Sequence, residues 1–491
     1  MTRKIAKKPL RKTHKKLANR NQQNKRETEE FSADQAKTLI SQLAGGGYGG
    51  RTLALNHLTS LSEKAAEALG RHTGFLELNG LVALSETTAK SLAKCKGLLS
   101  LEGLSSLSNK AAAALSKKKG YGLVLNGLPT ISDQAAEALG RAGYSLSLDG
   151  LVTLSEQGAA ALAKCKGSLS LNGLIALSDT AAESLTTRKA ANGRSRPRDA
   201  RSSSLSLNSL RVLSDRAARA LAKSGWSLSL DGVTGLSDKA AEALSSCRAK
   251  LSINGLTSLS DKAAEALSRC KAELSMNGLA SLSDKAAASL AKKRGYGLQL
   301  DGLATLSTKA AKSLGTYKAF LSLNGVTALS DEAAEALGKC DGPLSLNGLS
   351  TLSEKAAAAL ARCEGGLYLN GLTRLSDETF EKLAKKRGSL CLNGVTKLSD
   401  KAAAALATHE GSLSLNGMTT LSSSTAKAIA KHRDSLMLCG LKTLPHELAA
   451  ALAGHIGFLA LDGVTTLSTA AAKSLAKHRG VVTLDGKVVV S

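Results

Sequence analysis

The sequence predicts an α/β solenoid. A parallel sheet lines a concave face and short helices line the convex face, in about 18 repeats of 23 residues. Three observations predict it. The string L-x-L-N/D-G-L starts 19 times between Leu53 and Val482, and 15 of the 18 intervals are 23 residues long. Each interval opens with period-two alternation and continues with the apolar spacing of a short helix. Aromatic residues make up only 2% of the 491, so the core must be aliphatic. Length alone suits about three domains, but so strict a period reads as one array.

The elements follow in chain order. Residues 1–30 carry 11 Lys or Arg against three Glu and read as a disordered basic tail. No apolar stretch follows them, which argues against a secretory signal. The eight Cys are then expected as reduced thiols in a cytoplasmic setting. Residues 31–50 hold FSADQAKTLISQL, the helical half of a repeat, then a Gly-rich linker; they are expected to cap the array. The array itself should occupy residues 51–491.

Residues 251–273, LSINGLTSLSDKAAEALSRCKAE, serve as a typical unit. Leu251, Ser252 and Ile253 alternate as a strand with one buried face. Asn254 and Gly255 turn the chain. Leu256 and Leu259 point back to the core. Ser260 suits an N-cap, and Asp261 places negative charge in the first helical turn. Residues 262–269 then form a helix, burying Ala263, Ala264, Ala266 and Leu267. At two to three turns it cannot persist alone, so stability must come from stacked neighbours.

One interval of 36 residues carries an insertion, and residues 186–204 read as a basic surface loop with six Lys or Arg and one Asp. Two 24-residue units carry KKKGYG at 117–122 and KKRGYG at 292–297, which predicts longer helix-to-strand turns. Near 482–491 the pattern ends as a cap, with a small hairpin over Asp485 and Gly486 as the competing local reading.

These residues resemble leucine-rich repeats. The nearest likeness is to the cysteine-containing subclass, through Leu251, Ile253, Leu259, Ser260, Asp261, Leu267 and Cys270, although Leu256 stands where that subclass has its first Cys. The chain is also similar to long bacterial arrays of near-identical leucine-rich units. The resemblance spans about residues 53–486 and implies a noncatalytic scaffold for protein partners.

Four patterns bear on chemistry. GGGYGGRT at 45–52 departs from a phosphate loop, since Arg51 replaces the Lys and the segment runs from helix to strand. Nineteen residues after the strand start, 11 of 18 units hold Cys or His: Cys95, Cys165, Cys247, Cys270, Cys340 and Cys363, with His72, His409, His432, His455 and His478. Residues on successive coils form a row instead of converging on one ion, so packing is expected and no metal or cofactor. Ser is abundant but sits at strand and cap positions, so no catalytic residue is expected. The strand face is mostly Ser, Asn, Asp and Gly; Glu77, Glu102, Val124, Gln299, Tyr368, Cys391 and Met437 break that monotony and are the expected partner-binding residues.

Net charge is +26, and the tail and loop carry half of it. They give the alternative expectation, contact with nucleic acid or another anionic surface. Its residues would be Arg3, Lys4, Lys7, Lys8, Arg11, Lys12, Lys15 and Lys16 in the tail. Arg188, Lys189, Arg194, Arg196, Arg198 and Arg201 would serve in the loop. No run approaches the ~18 apolar residues of a membrane span.

Overall fold

The computed structural model describes residues 31–43, 52–186, 203–484 and 487–490. The basic tail and residues 187–202 of the basic loop lie outside them. Two compact units are present, Met1–Leu171 and Asn172–Ser491. In the first, parallel strands run from Leu53–Ala54 to Leu169–Ser170, each followed by a helix. In the second, parallel strands run from Ser204–Ser206 to Val481–Leu484 with the same alternation.

Within each unit the register stacks like on like. Leu251 pairs with Leu274, and Leu274 with Leu298. Leu251, Ile253 and Leu256 are all 0% exposed, so every repeat contributes one interdigitated aliphatic layer. Ser260 caps the following helix, its Oγ accepting from Ala263 N at 3.0 Å. That helix is Asp261–Leu267, shorter than the sequence implied. The N–H groups of Arg269 and Cys270 bond to Ala266 and Leu267, which tightens the chain toward the next strand. Ala263, Ala264, Ala266 and Leu267 are buried as expected, whereas Leu259 is only half-buried.

Two polar ladders fix the stacking. At the strand end, Asn324 Oδ1 accepts from Ser345 Oγ at 2.7 Å and from Asn347 N at 2.9 Å. Asn126 does the same with Ser147 at 2.7 Å and Asp149 N at 2.9 Å, and Asn393 with Ser414 and Asn416. At the helix start, Ser283 accepts from Ala286 N at 2.9 Å and donates to Asp261 of the preceding helix at 2.5 Å. The Ser and Asn of the strand face are therefore structural groups joining repeats. Asn324→Ala is expected to strand the Asn347 N–H and the Ser345 hydroxyl and cost ~1–3 kcal/mol. Asn324→Asp should cost much less, because it keeps the acceptor. Urea midpoints of the two variants make the comparison.

The ends follow the same logic. The helix Ala33–Leu43 opens with a capping box in which Ser32 N donates to Gln35 Oε1 at 2.8 Å and Gln35 N to Ser32 Oγ at 3.2 Å. Ala36 is 0% exposed. At the other end Val481–Leu484 pairs antiparallel with Lys487–Val490, so the hairpin reading of that segment is the one observed. The two 24-residue units take up their extra residue at Gly120 and Gly295, with φ of 111° and 107°.

Candidate functional site

The strand register brings some of the sequence-selected residues together and leaves others apart. Tyr368 lies opposite Cys391, Cys391 opposite Ser414, and Ser414 opposite Met437. Tyr368, Cys391 and Met437 are each half-buried on one sheet face. The Tyr368 ring lies back over Gly366, its Oη 3.4 Å from the place a Cβ there would take. Burial pushes the Cys391 thiol up. Gln299 stands three strands earlier and is held in place: it accepts from Ser275 Oγ at 3.1 Å and donates to Glu273 at 2.9 Å. Lys250 joins that network through Glu273 at 3.0 Å.

Glu77, Glu102 and Val124 belong to the first unit. Glu77 accepts from Asn56 Nδ2 at 3.2 Å. Glu102 occupies an Asn site, and its N–H donates to Asn79 Oδ1 at 3.1 Å. Val124 is half-buried opposite Ser100 and Ser147. The candidate basic residues 3–16 and 188–201 lie outside the described residues.

The column at helix ends is a packing feature. Its Cys and His residues are at most 4% exposed. Burial pushes the thiols of Cys247 and Cys340 up to about 12, which leaves them poor nucleophiles at neutral pH. The imidazoles of His409, His432, His455 and His478 stack along the column with centroids 5.9, 6.0 and 5.6 Å apart. Among the described residues, no group of three or more His, Cys, Asp or Glu is arranged to hold a metal ion. A zinc site needs nitrogens about 2.0–2.1 Å from one ion, and this row has rings side by side.

Sequence reasoning missed three buried lysines in the same column. Lys118 and Lys293 are 4% exposed and Lys386 is 0% exposed. Lys118 Nζ donates to Gly97 O at 2.6 Å and sits 5.6 Å from the Tyr144 ring centroid. Lys293 donates to Tyr296 O at 3.1 Å, and Lys386 to Arg387 O. Burial lowers all three ammonium pKa values. The signal was available, because each lysine falls 19 residues after its strand start and follows a Cys repeat.

A strand of stacked Leu, a turn bonded to the next turn through Asn or Asp in most repeats, and a returning helix recur along each unit. The fold is the leucine-rich repeat. No family model matches the leucine-rich-repeat sequence here, and no curated protein matches it. Solved structures do. One is a leucine-rich-repeat protein of Leptospira interrogans, at 18% identity and TM-score 0.32, covering 91% of this chain and 97% of that one. Another is an internalin from Listeria monocytogenes, at 16% identity and TM-score 0.39, covering 68% and 93%. A third is the Toll–Spatzle complex of Drosophila, at 13% identity and TM-score 0.42, covering 79% and 54%. No helix among the described residues is long and apolar enough to cross a membrane.

Proposed function

We propose that this chain is a noncatalytic protein-interaction scaffold that receives its partner on the sheet face around Tyr368, Cys391 and Met437. The observation that carries this reading is the row they form. On most strands the corresponding site is Ser, and many of those hydroxyls donate to an Asn or Asp of the preceding repeat. The Tyr368 row instead offers a ring, a thiol and a thioether, half-exposed and flanked by small groups. Aromatic residues and Met are the side chains enriched at the centre of protein interfaces.

The test is affinity capture by the full-length chain from its native lysate, treated with nuclease and washed at about 0.3 M salt. A discrete protein partner should survive both treatments and be lost with Tyr368→Asp, while Tyr368→Phe retains it. The charge change would place a carboxylate in the centre of the interface, with an expected loss of at least ~2 kcal/mol, or ~30-fold in affinity. Retention of every partner by Tyr368→Asp would end this reading. A second reading has its own observation, the concentration of charge at residues 1–30 and 186–204. It expects partners that vanish with nuclease or modest salt, and that vanish again when both segments are deleted.

A further inference from the structure

The first unit carries a second charged feature, distinct from the basic tail and loop. Four of its helices begin with acid, at Glu63, Glu86, Asp133 and Glu156, and cations follow just past their ends, at Arg71, Lys94, Arg141 and Lys164. The helix dipole favours that polarity. The helix-to-strand turns at 70–75, 93–98, 116–121, 140–145 and 163–168 contain no Asp or Glu at all. They stack directly. Lys96 N donates to His72 O, Tyr121 N to Lys96 O, Ser145 N to Tyr121 O and Lys166 N to Ala142 O, each at 3.3 Å. Lys94, Lys96, Lys117, Lys119, Lys164 and Lys166 are all exposed along this edge. In the same repeats Glu67 and Glu137 lie one helical turn back, paired with Arg71 at 3.6 Å and Arg141 at 2.7 Å.

An aromatic ring stands among the lysines. Tyr121 is 69% exposed, held out by the extra residue at Gly120, and buried Lys118 lies behind it. The same device recurs in the second unit, where Tyr296 is also 69% exposed between Arg294 and Gly297, above buried Lys293. Each ring offers a flat π-face beside cations, the kind of face on which a base stacks.

We propose that the helix-end edge of the first unit binds single-stranded nucleic acid, with the exposed lysines meeting phosphates and Tyr121 stacking on a base. Repeats about 4.8 Å apart put the lysines from Lys94 to Lys166 along roughly 14 Å of strand. Cations tracking a backbone beside an aromatic platform are the elements of sequence-tolerant single-strand binding. A duplex is disfavoured because its base faces are stacked and closed to the ring. None of its residues belongs to the partner face at Tyr368, the tail or the loop.

The test uses the full-length chain and a thymidine oligonucleotide of about 15 residues bearing 5-iodouracil. Photo-crosslinking should label the peptide containing Tyr121. Tyr121→Ala should weaken binding ~5- to ~150-fold, the equivalent of one lost base stack, and Tyr121→Phe should restore it. The K94Q/K96Q/K117Q/K119Q variant should lower the slope of log affinity against log salt by about 3, at ~0.7 per phosphate contact. Circular dichroism checks that each variant remains folded. Cross-links confined to residues 1–30 and 187–202, or a Tyr121→Ala chain that binds as tightly as the parent, would overturn the proposal. So would equal binding to duplex DNA or phosphatidylserine vesicles with no effect of Tyr121→Ala.

Discussion

Lowering the pH from about 7 to about 4.5 is expected to destabilise the last repeats well before the rest of the array. The cause is the stack of His409, His432, His455 and His478, at most 3% exposed. Their ring nitrogens are buried, and among the described residues the one well-formed hydrogen bond to them is the Gly480 N–H donated to His478 Nδ1 at 2.9 Å. Burial pushes the His432 imidazole from 6.5 down to about 4, helped by His409 and His455 on either side. Burial likewise lowers His409, His455 and His478. Lys386, one repeat before His409, opposes protonation there, while Asp434 beside His432 favours it.

The sign follows from which state binds more protons. The unfolded imidazoles protonate near 6.5 and the folded ones lower, so stability is complete above 6.5 and falls as pH drops toward about 4. For His432 alone, ~1.36 kcal/mol per pH unit and a discount for solvent screening give about 2 kcal/mol. The three neighbours add to it. Urea melts at the two pH values should show this loss in the native chain and not in H409C/H432C/H455C/H478C, which installs the residue other repeats use in the column. A native chain whose C-terminal stability is flat across that range would refute the argument.

Replacing Gly348 by Ala is expected to be among the most damaging single changes in the array. A Cβ there would lie 2.0 Å from Asn324 O, and 3.0 Å from both Asn324 C and Val326 O. All three are backbone atoms of the preceding repeat, which cannot rotate away. Either the two turns separate, breaking the Asn324 ladder, or the strand pair slips. Overpacking in a well-packed core typically costs ~1–3 kcal/mol, and the rigid partners here put Gly348→Ala at ~3 kcal/mol or above. Because each repeat touches only its neighbours, the fault should open the array locally. Limited proteolysis should cut near residues 345–350, along with a lowered urea midpoint. Gly235→Ala is the control: its added methyl meets nothing within 4 Å, so it should change stability by less than ~0.5 kcal/mol. Equal midpoints for the two variants would show that close approach is not what the turn requires.

Much of this protein was legible in one repeat of its sequence. The alternation at Leu251 and Ile253, the Asn-Gly turn, the Ser260 cap and the Ala-rich stripe each report on a few adjacent residues. Local backbone preference and burial of one face decide them, and the 23-residue period then multiplies the answer. What depends on residues 21 to 24 apart was decided only by tertiary structure. Asn324 is a ladder group because the parallel register delivers Ser345 and the Asn347 N–H to its oxygen. Tyr368 and Cys391 share a surface because their strands pair in register. Lys386, polar by its identity, is buried because its column position faces the interior and Arg387 O accepts a hydrogen bond from its ammonium. The pattern within a repeat fixes which side chains turn inward; the hydrogen-bonded register between repeats fixes which of them meet.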